Sequence, residues 1–162
     1  MSILPFAKEE AIKGRSFFLG DIENLAWNLK INTITETEVR KTSNQIYECL
    51  THLEAIEIIA CSTFFADPVL FNWGRNARFL IGSGPNAADL KLITAIYTEE
   101  VAQRFDTIFI GSGDGIFLEP VQYLISMGLR VCVIHRRDRL SKRLQLAAHN
   151  TICLDRIQPK AA

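Results

Sequence analysis

Three short turns carry the residue types that could do chemistry. Gly20-Asp21-Ile22-Glu23-Asn24 follows the first apolar run of the chain. Gly82-Ser83-Gly84-Pro85-Asn86 follows the third, with Asp89 just behind it in a first helical turn. Gly111-Ser112-Gly113-Asp114-Gly115 follows the fourth, and none of the three turns carries a lysine. Carboxylates that converge without basic partners repel one another, and a hard divalent cation is the natural compensation. Magnesium takes oxygen ligands and keeps several waters, so two or three carboxylates suffice. A water held by such an ion can attack phosphorus while the ion stabilises the charge that develops on oxygen.

The elements that must position these residues alternate along the chain. The apolar runs are Ser16–Ile22, Ile56–Thr63, Ala77–Gly82, Thr107–Gly111, Arg130–His135 and Thr151–Leu154. They are rich in Ile, Phe and Val without strict polar alternation, as suits strands buried on both faces of a parallel sheet. Between them lie amphipathic stretches. Thr35 and Glu38 form a capping-box pattern ahead of Val39, Ile46, Leu50 and Leu53. Asn86 is placed to cap a helix bearing Leu90, Ile93, Ile96, Tyr97 and Val101. Pro120 belongs in the first turn of a helix starting near Phe117, which Gly128 closes at C′. A last helix is expected over Leu140–His149, while 66–76 gives no clear signal.

Such alternation predicts an α/β fold, a single doubly wound sandwich with a mainly parallel sheet. Ligands of open α/β sheets sit beyond the carboxyl ends of the strands, where strand order reverses. If the order is 3-2-1-4-5, strands one and four are neighbours, and Asp21 and Asp114 would flank one crevice. The helix crossing from strand three to strand four can present Asp89 to the same place.

Ordinary structural roles compete with this reading. Asp21 can simply fix a turn, Asp114 can cap one, and Asp89 three residues after Asn86 complements a helix dipole. The glycines of 111–115 also suit a phosphate cradle at a helix start. That turn has neither the G-x-G-x-x-G order nor a P-loop lysine, and Asp114 would repel a phosphate.

Composition bounds the rest. The 162 residues are 48% hydrophobic and 22% charged, a soluble globular balance in which one domain over 1–162 is expected. No apolar run approaches the ~18 residues of a membrane span. Ile3, Leu4 and Phe6 give way at once to Lys8, Glu9 and Glu10, too short an apolar region for a secretory leader, so a cytoplasmic location is expected. Eighteen basic residues balance eighteen acidic ones, so any charged partner must be read by a local patch. Cys49, Cys61, Cys132 and Cys153 form no C-x-x-C pair and read as reduced packing residues. His52 and His149 show no metal-ligand spacing, and His135 reads as a capping or core-edge residue. Trp27, Trp73 and the ten phenylalanines read as core or interface. Arg130–Arg143 holds six bases against Asp138; Arg136, Arg137, Arg139, Lys142 and Arg143 follow the fifth strand and could neutralise a phosphodiester backbone. A solvated loop and helix face is the plainer alternative for that patch.

Taken together, Asp21-x-x-Asn24, Gly84-Pro85-Asn86-Ala87-Ala88-Asp89 and Ser112-Gly113-Asp114-Gly115 resemble the NYN domain, a branch of the PIN-like nuclease superfamily. The resemblance runs through Pro120, Tyr123-Leu124, Gly128, Val131–Ile134 and Leu140-Ser141, and covers a core of about residues 16–155. It implies a Rossmann-like three-layer sandwich with a mainly parallel sheet of order 3-2-1-4-5, and a ribonuclease dependent on Mg2+ or Mn2+. Asp21, Asp89 and Asp114 would be its metal carboxylates, Asn24 would orient or bind near the metal, and Ser112 would support the turn. One position departs from the family pattern Ser-Gly-Asp-x-Asp-Phe: the second aspartate is Ile116. Glu23 and Glu119 are the candidate replacements. The alternative is a catalytically impaired module that binds RNA or a protein partner. RNA is the expected partner and no membrane contact is expected, while a homodimer or a protein partner stays open.

Overall fold

Six segments pair into one parallel sheet in the computed structural model: β1 (Ser16–Asp21), β2 (Ile56–Ser62), β3 (Arg78–Gly82), β4 (Thr107–Gly111), β5 (Arg130–His135) and β6 (Asn150–Cys153). The structure describes residues 14–158; Ile3, Leu4, Phe6 and the argument about a leader lie outside them. Strand order is β3-β2-β1-β4-β5-β6, the expected order with the sixth run added at the β5 edge. The reversal falls between β1 and β4, where Gly20 pairs with Gly111. A Cβ on Gly20 would meet the Phe18 ring at 2.8 Å, and one on Gly111 would meet the same ring at 2.8 Å. The glycine pair is therefore the space into which that buried ring packs.

Alternate residues of each strand enter opposite cores, which is why the runs lack polar positions. Phe18, Ile59, Phe109, Cys132 and Ile134 face one core with Val39 and Ile46 of α2 (Glu36–Leu50) and Val69 of α3 (Ala66–Asn72). Phe17, Leu19, Ile58, Ile108, Ile110 and Val133 face the other. That side is closed by Leu92 and Ile96 of α4 (Ala87–Thr98), Val101 of α5 (Val101–Arg104), Leu124 of α6 (Leu118–Ser126) and Leu144 of α7 (Lys142–Ala147). No helix among the described residues is long and apolar enough to cross a membrane.

The local differences from expectation have local causes. Asp21 ends β1 and opens a short helix, α1 (Ile22–Ala26), so Ile22 is helical rather than the last strand residue. The unclear 66–76 segment begins as a helix, α3, and Trp73 just past its end is buried in the core. Thr35 Oγ1 accepts from the Glu38 amide at 3.3 Å, but the Glu38 carboxylate accepts from Asn28 Nδ2 at 2.8 Å instead of reaching back. Asn86 occupies the cap position of α4 at φ 55° with no side-chain cap bond, so it supplies a left-handed turn rather than an acceptor. Gly128, at φ 91°, ends α6 as expected: its amide bonds to Ile125 O and that of Leu129 to Leu124 O. All four cysteines are free, and burial pushes the Cys49 thiol up to about 12 and that of Cys61 to about 11, as befits inert packing groups.

Candidate functional site

Asp21 is placed by the switch from strand to helix. Its Oδ1 accepts from the Glu23 and Asn24 amides at 3.1 and 3.4 Å, satisfying the open amino end of α1. Asp89 arrives from the other side of the sheet, one turn into α4, which packs on β1, β2 and β3. The two carboxyls meet by a hydrogen bond and are 5% and 7% exposed. Burial is the main force that raises the pKa of both above the ordinary carboxylate range. Contact with Asp89 and its charge raise Asp21 further. Negative charge on Glu23 raises both further, and that on Asp114 raises Asp89. Asp89 Oδ1 is buried with no hydrogen-bond partner.

The pair opens onto a cleft of about 260 Å³ lined also by Glu23, Asn24, Ser62 and Arg139. Glu23 Oε1 accepts from the Ser62 amide at 2.6 Å, tying α1 to the end of β2. Arg139 corrects the picture of a crevice without basic partners, although its guanidinium donates to Asn24 O at 2.9 Å and Trp27 O at 3.3 Å.

Asp114 stands apart. It is exposed, does not line the cleft, and its Oδ1 accepts from the Ile116 amide at 2.9 Å to start the 3-10 turn Gly115–Phe117. Among the described residues, no three of the Asp, Glu, His and Cys side chains are gathered into a metal-holding group. The expected three-carboxylate cluster is thus a close pair with a third acid at the rim. The reason is that the 112–115 turn is drawn toward the chain after β5. Ser141 N donates to Gly113 O at 2.9 Å, Gly113 N donates to Asn24 Oδ1 at 3.2 Å, and Asp114 N donates to the buried Ser112 Oγ at 3.2 Å. Asn24 and Ser112 act here as positioning residues.

Ile116 is partly buried against the core on the α4/α6 side. Glu119 is exposed on α6 and does not line the cleft; burial raises the pKa of Tyr97, and the Glu119 charge adds to that. Of the two candidate replacement acids, only Glu23 reaches the cleft.

The basic segment also divides. Arg136 is turned inward: Nε donates to Leu25 O at 2.6 Å, Nη2 to Thr42 Oγ1 at 2.9 Å, and Nη1 pairs with Asp155 at 3.3 Å. Arg136 and Arg139 are therefore clamps between β5's loop and α1, not parts of a solvated patch. Arg137, Lys142 and Arg143 are exposed, and none of the three lines this cleft.

The donor set fits a hard divalent cation at the Asp21–Asp89 pair: oxygen only, two carboxylates, and one buried oxygen with no other partner. Such an ion keeps waters and needs few protein ligands. A model of the NYN domain family matches residues 19–155. Among solved structures, a Vibrio parahaemolyticus protein of unknown function superposes with a TM-score of 0.66 at 18% identity, over 89% of this chain and 94% of that one. No curated protein matches the chain at a significant level. The structural likeness is one of fold, and the family match runs from within β1 to the turn after β6, through all three acidic turns. The chain belongs to the NYN domain family.

Proposed function

We propose that this chain, acting as one domain over 1–162, is a ribonuclease that hydrolyses RNA phosphodiester bonds with Mg2+ or Mn2+ at the Asp21–Asp89 pair. The observation that carries the reading is the pair itself. Two buried acids held in contact, with one oxygen unpartnered, cost folding energy that a merely structural turn would not need. NYN membership directs the reading toward RNA.

Bound there, a divalent cation supplies a water of lowered pKa and a counter-charge for the phosphoryl oxygens. The chain's own residues hold the arrangement. Asp21 and Asp89 would hold the ion through their carboxylate oxygens. Asn24, through Gly113 N, sets the turn that keeps Asp114 at the rim, and Ser112 fixes the Asp114 amide. Arg139 braces the 24–27 backbone against the chain after β5.

The test is cleavage of labelled single-stranded RNA with Mn2+, its loss in EDTA, and its loss in Asp21→Asn and Asp89→Asn variants that melt as folded proteins. Full cleavage by both variants would place the chemistry elsewhere. The partly buried Ile116, where the family pattern has an acid, favours a second reading: an RNA-binding module without cleavage. Parent protein that binds RNA but leaves it intact at every Mn2+ concentration would select that reading.

A further inference from the structure

Beside the carboxylate cleft lies a second groove of about 340 Å³, and Arg139 lines both. Five cations reach its walls: Lys30 after α1, Lys41 on α2, and Arg136, Arg137 and Arg139 after β5. Two carboxylates, Glu38 and Asp155, face them. Asp155 is committed to the Arg136 guanidinium at 3.3 Å and the Arg137 amide at 2.6 Å, and Glu38 to Asn28 Nδ2 at 2.8 Å. Arg136 and Arg139 are spent on backbone carbonyls, Thr42 and Asp155. What remains are the charged groups of Lys30, Lys41 and Arg137, all exposed and without a hydrogen bond or ion pair among the described residues. Three exposed cations from three separate elements, of which only Arg137 also acts on Asp155, thus converge on one groove of a chain whose formal net charge is zero.

The groove is not uniformly polar. Trp27 and Leu29 form apolar wall, with Leu29 76% exposed. The Trp27 ring is held edge-on to Phe65 at 5.7 Å between centroids. Cations interleaved with apolar and aromatic wall are what a single strand needs, since its phosphates and its unpaired bases can be met together. A duplex keeps its bases paired and stacked, so it offers this wall no open base face.

We infer that this groove holds single-stranded RNA beside the Asp21–Asp89 cleft, with Lys30, Lys41 and Arg137 on successive phosphates and Trp27 and Leu29 against a base. The choice of RNA rests on the ribonuclease reading; the groove and its residues do not. It differs from the continuous Arg136–Arg143 patch expected from sequence, because two of those arginines are internal clamps and two lysines from elsewhere take their place.

The test is fluorescence anisotropy of a labelled single-stranded oligouridylate in EDTA, titrated at several KCl concentrations. Each phosphate contact on a single strand contributes about 0.7 to the slope of log K against log salt. Lys30→Ala/Lys41→Ala/Arg137→Ala should therefore lower the slope by about 2 and weaken binding on the order of a hundredfold near 0.1 M salt. The Lys142→Ala/Arg143→Ala variant on α7 should bind like the parent. Melting curves check that both variants are folded.

A parent that binds while the triple variant keeps its Kd and salt slope overturns the groove and leaves the ribonuclease reading standing. Loss of binding in the α7 variant alone, tighter binding of duplex RNA by the parent, or no binding of the oligouridylate by the parent at low salt also overturns the groove. Groove-dependent binding in a parent that never cleaves with Mn2+ overturns the ribonuclease reading and supports the groove.

Discussion

Gly113 is the point at which the acidic turn after β4 locks onto the chain after β5, and alanine there should break the lock. A Cβ at 113 would lie 1.7 Å from Arg139 O, 2.7 Å from Arg139 C and 3.0 Å from Leu140 Cα. These are backbone atoms and cannot rotate away. Ordinary contact is about 3.5–4.0 Å between carbons, so the two loops must part by roughly 1.5–2 Å. Separation of that size removes the bonds from Ser141 N to Gly113 O at 2.9 Å and from Gly113 N to Asn24 Oδ1 at 3.2 Å. Two hydrogen bonds at about 1 kcal/mol each, with about 1–3 kcal/mol of residual strain, give a loss of about 3–5 kcal/mol. For a chain of this size the melting temperature should fall by roughly 10 °C. Gly115 is the internal control: a Cβ there meets only the Ser141 side chain, at 3.3 Å to Oγ. Gly115→Ala should stay within about 1 kcal/mol of the parent. Thermal and urea melts of the two variants decide the matter. If Gly113→Ala melts within about 2 °C of the parent, or Gly115→Ala falls as far as it does, the locking argument is wrong.

Other outcomes follow from the same geometry. Because Asp21 and Asp89 titrate above their ordinary range when folded, the native state binds more protons than the unfolded chain between the two ranges. Metal-free protein should therefore lose stability as pH rises through the folded pKa values, and Asp21→Asn should melt higher than the parent at neutral pH; a flat profile and an unchanged melt would refute the raised pair. Arg136→Ala should cost about 3 kcal/mol, because it strands Leu25 O, Thr42 and Asp155, whereas Arg137→Ala should stay within about 0.5 kcal/mol in a urea melt. Ile116→Asp should melt lower by about 1–3 kcal/mol, since it puts a carboxylate where a partly buried apolar side chain packs; an unchanged melt with tighter Mn2+ binding by calorimetry would instead make position 116 part of the site.

The order of elements was legible in the sequence because each strand must be apolar on both faces and each helix on one. Periodicity of that kind is a property of neighbouring residues. It placed the strand ends, and with them Asp21, Asp89 and Asp114 on one edge of the sheet. The same local rules identified Gly128 as a helix stop and Thr35 as a helix start. They missed α3, whose Ala66–Asn72 sequence is too short for its apolar face to declare a period.

Which of those neighbours touch was decided only by the tertiary structure. That Asp21 and Asp89 are buried together in one cleft while Asp114 caps its own turn depends on where α4 crosses the sheet and how the 112–115 turn is pulled toward Arg139 and Ser141. The fate of the basic residues was equally invisible in the chain. Arg136, Arg137 and Arg139 look alike in sequence, yet Arg136 and Arg139 find carbonyl acceptors across the fold while the Arg137 side chain remains outside with Lys30 and Lys41. Charge is written in the sequence residue by residue; whether it is neutralised depends on acceptors more than a hundred positions away, as Leu25 O and Asn24 O are from these arginines, and only the folded chain brings them within reach.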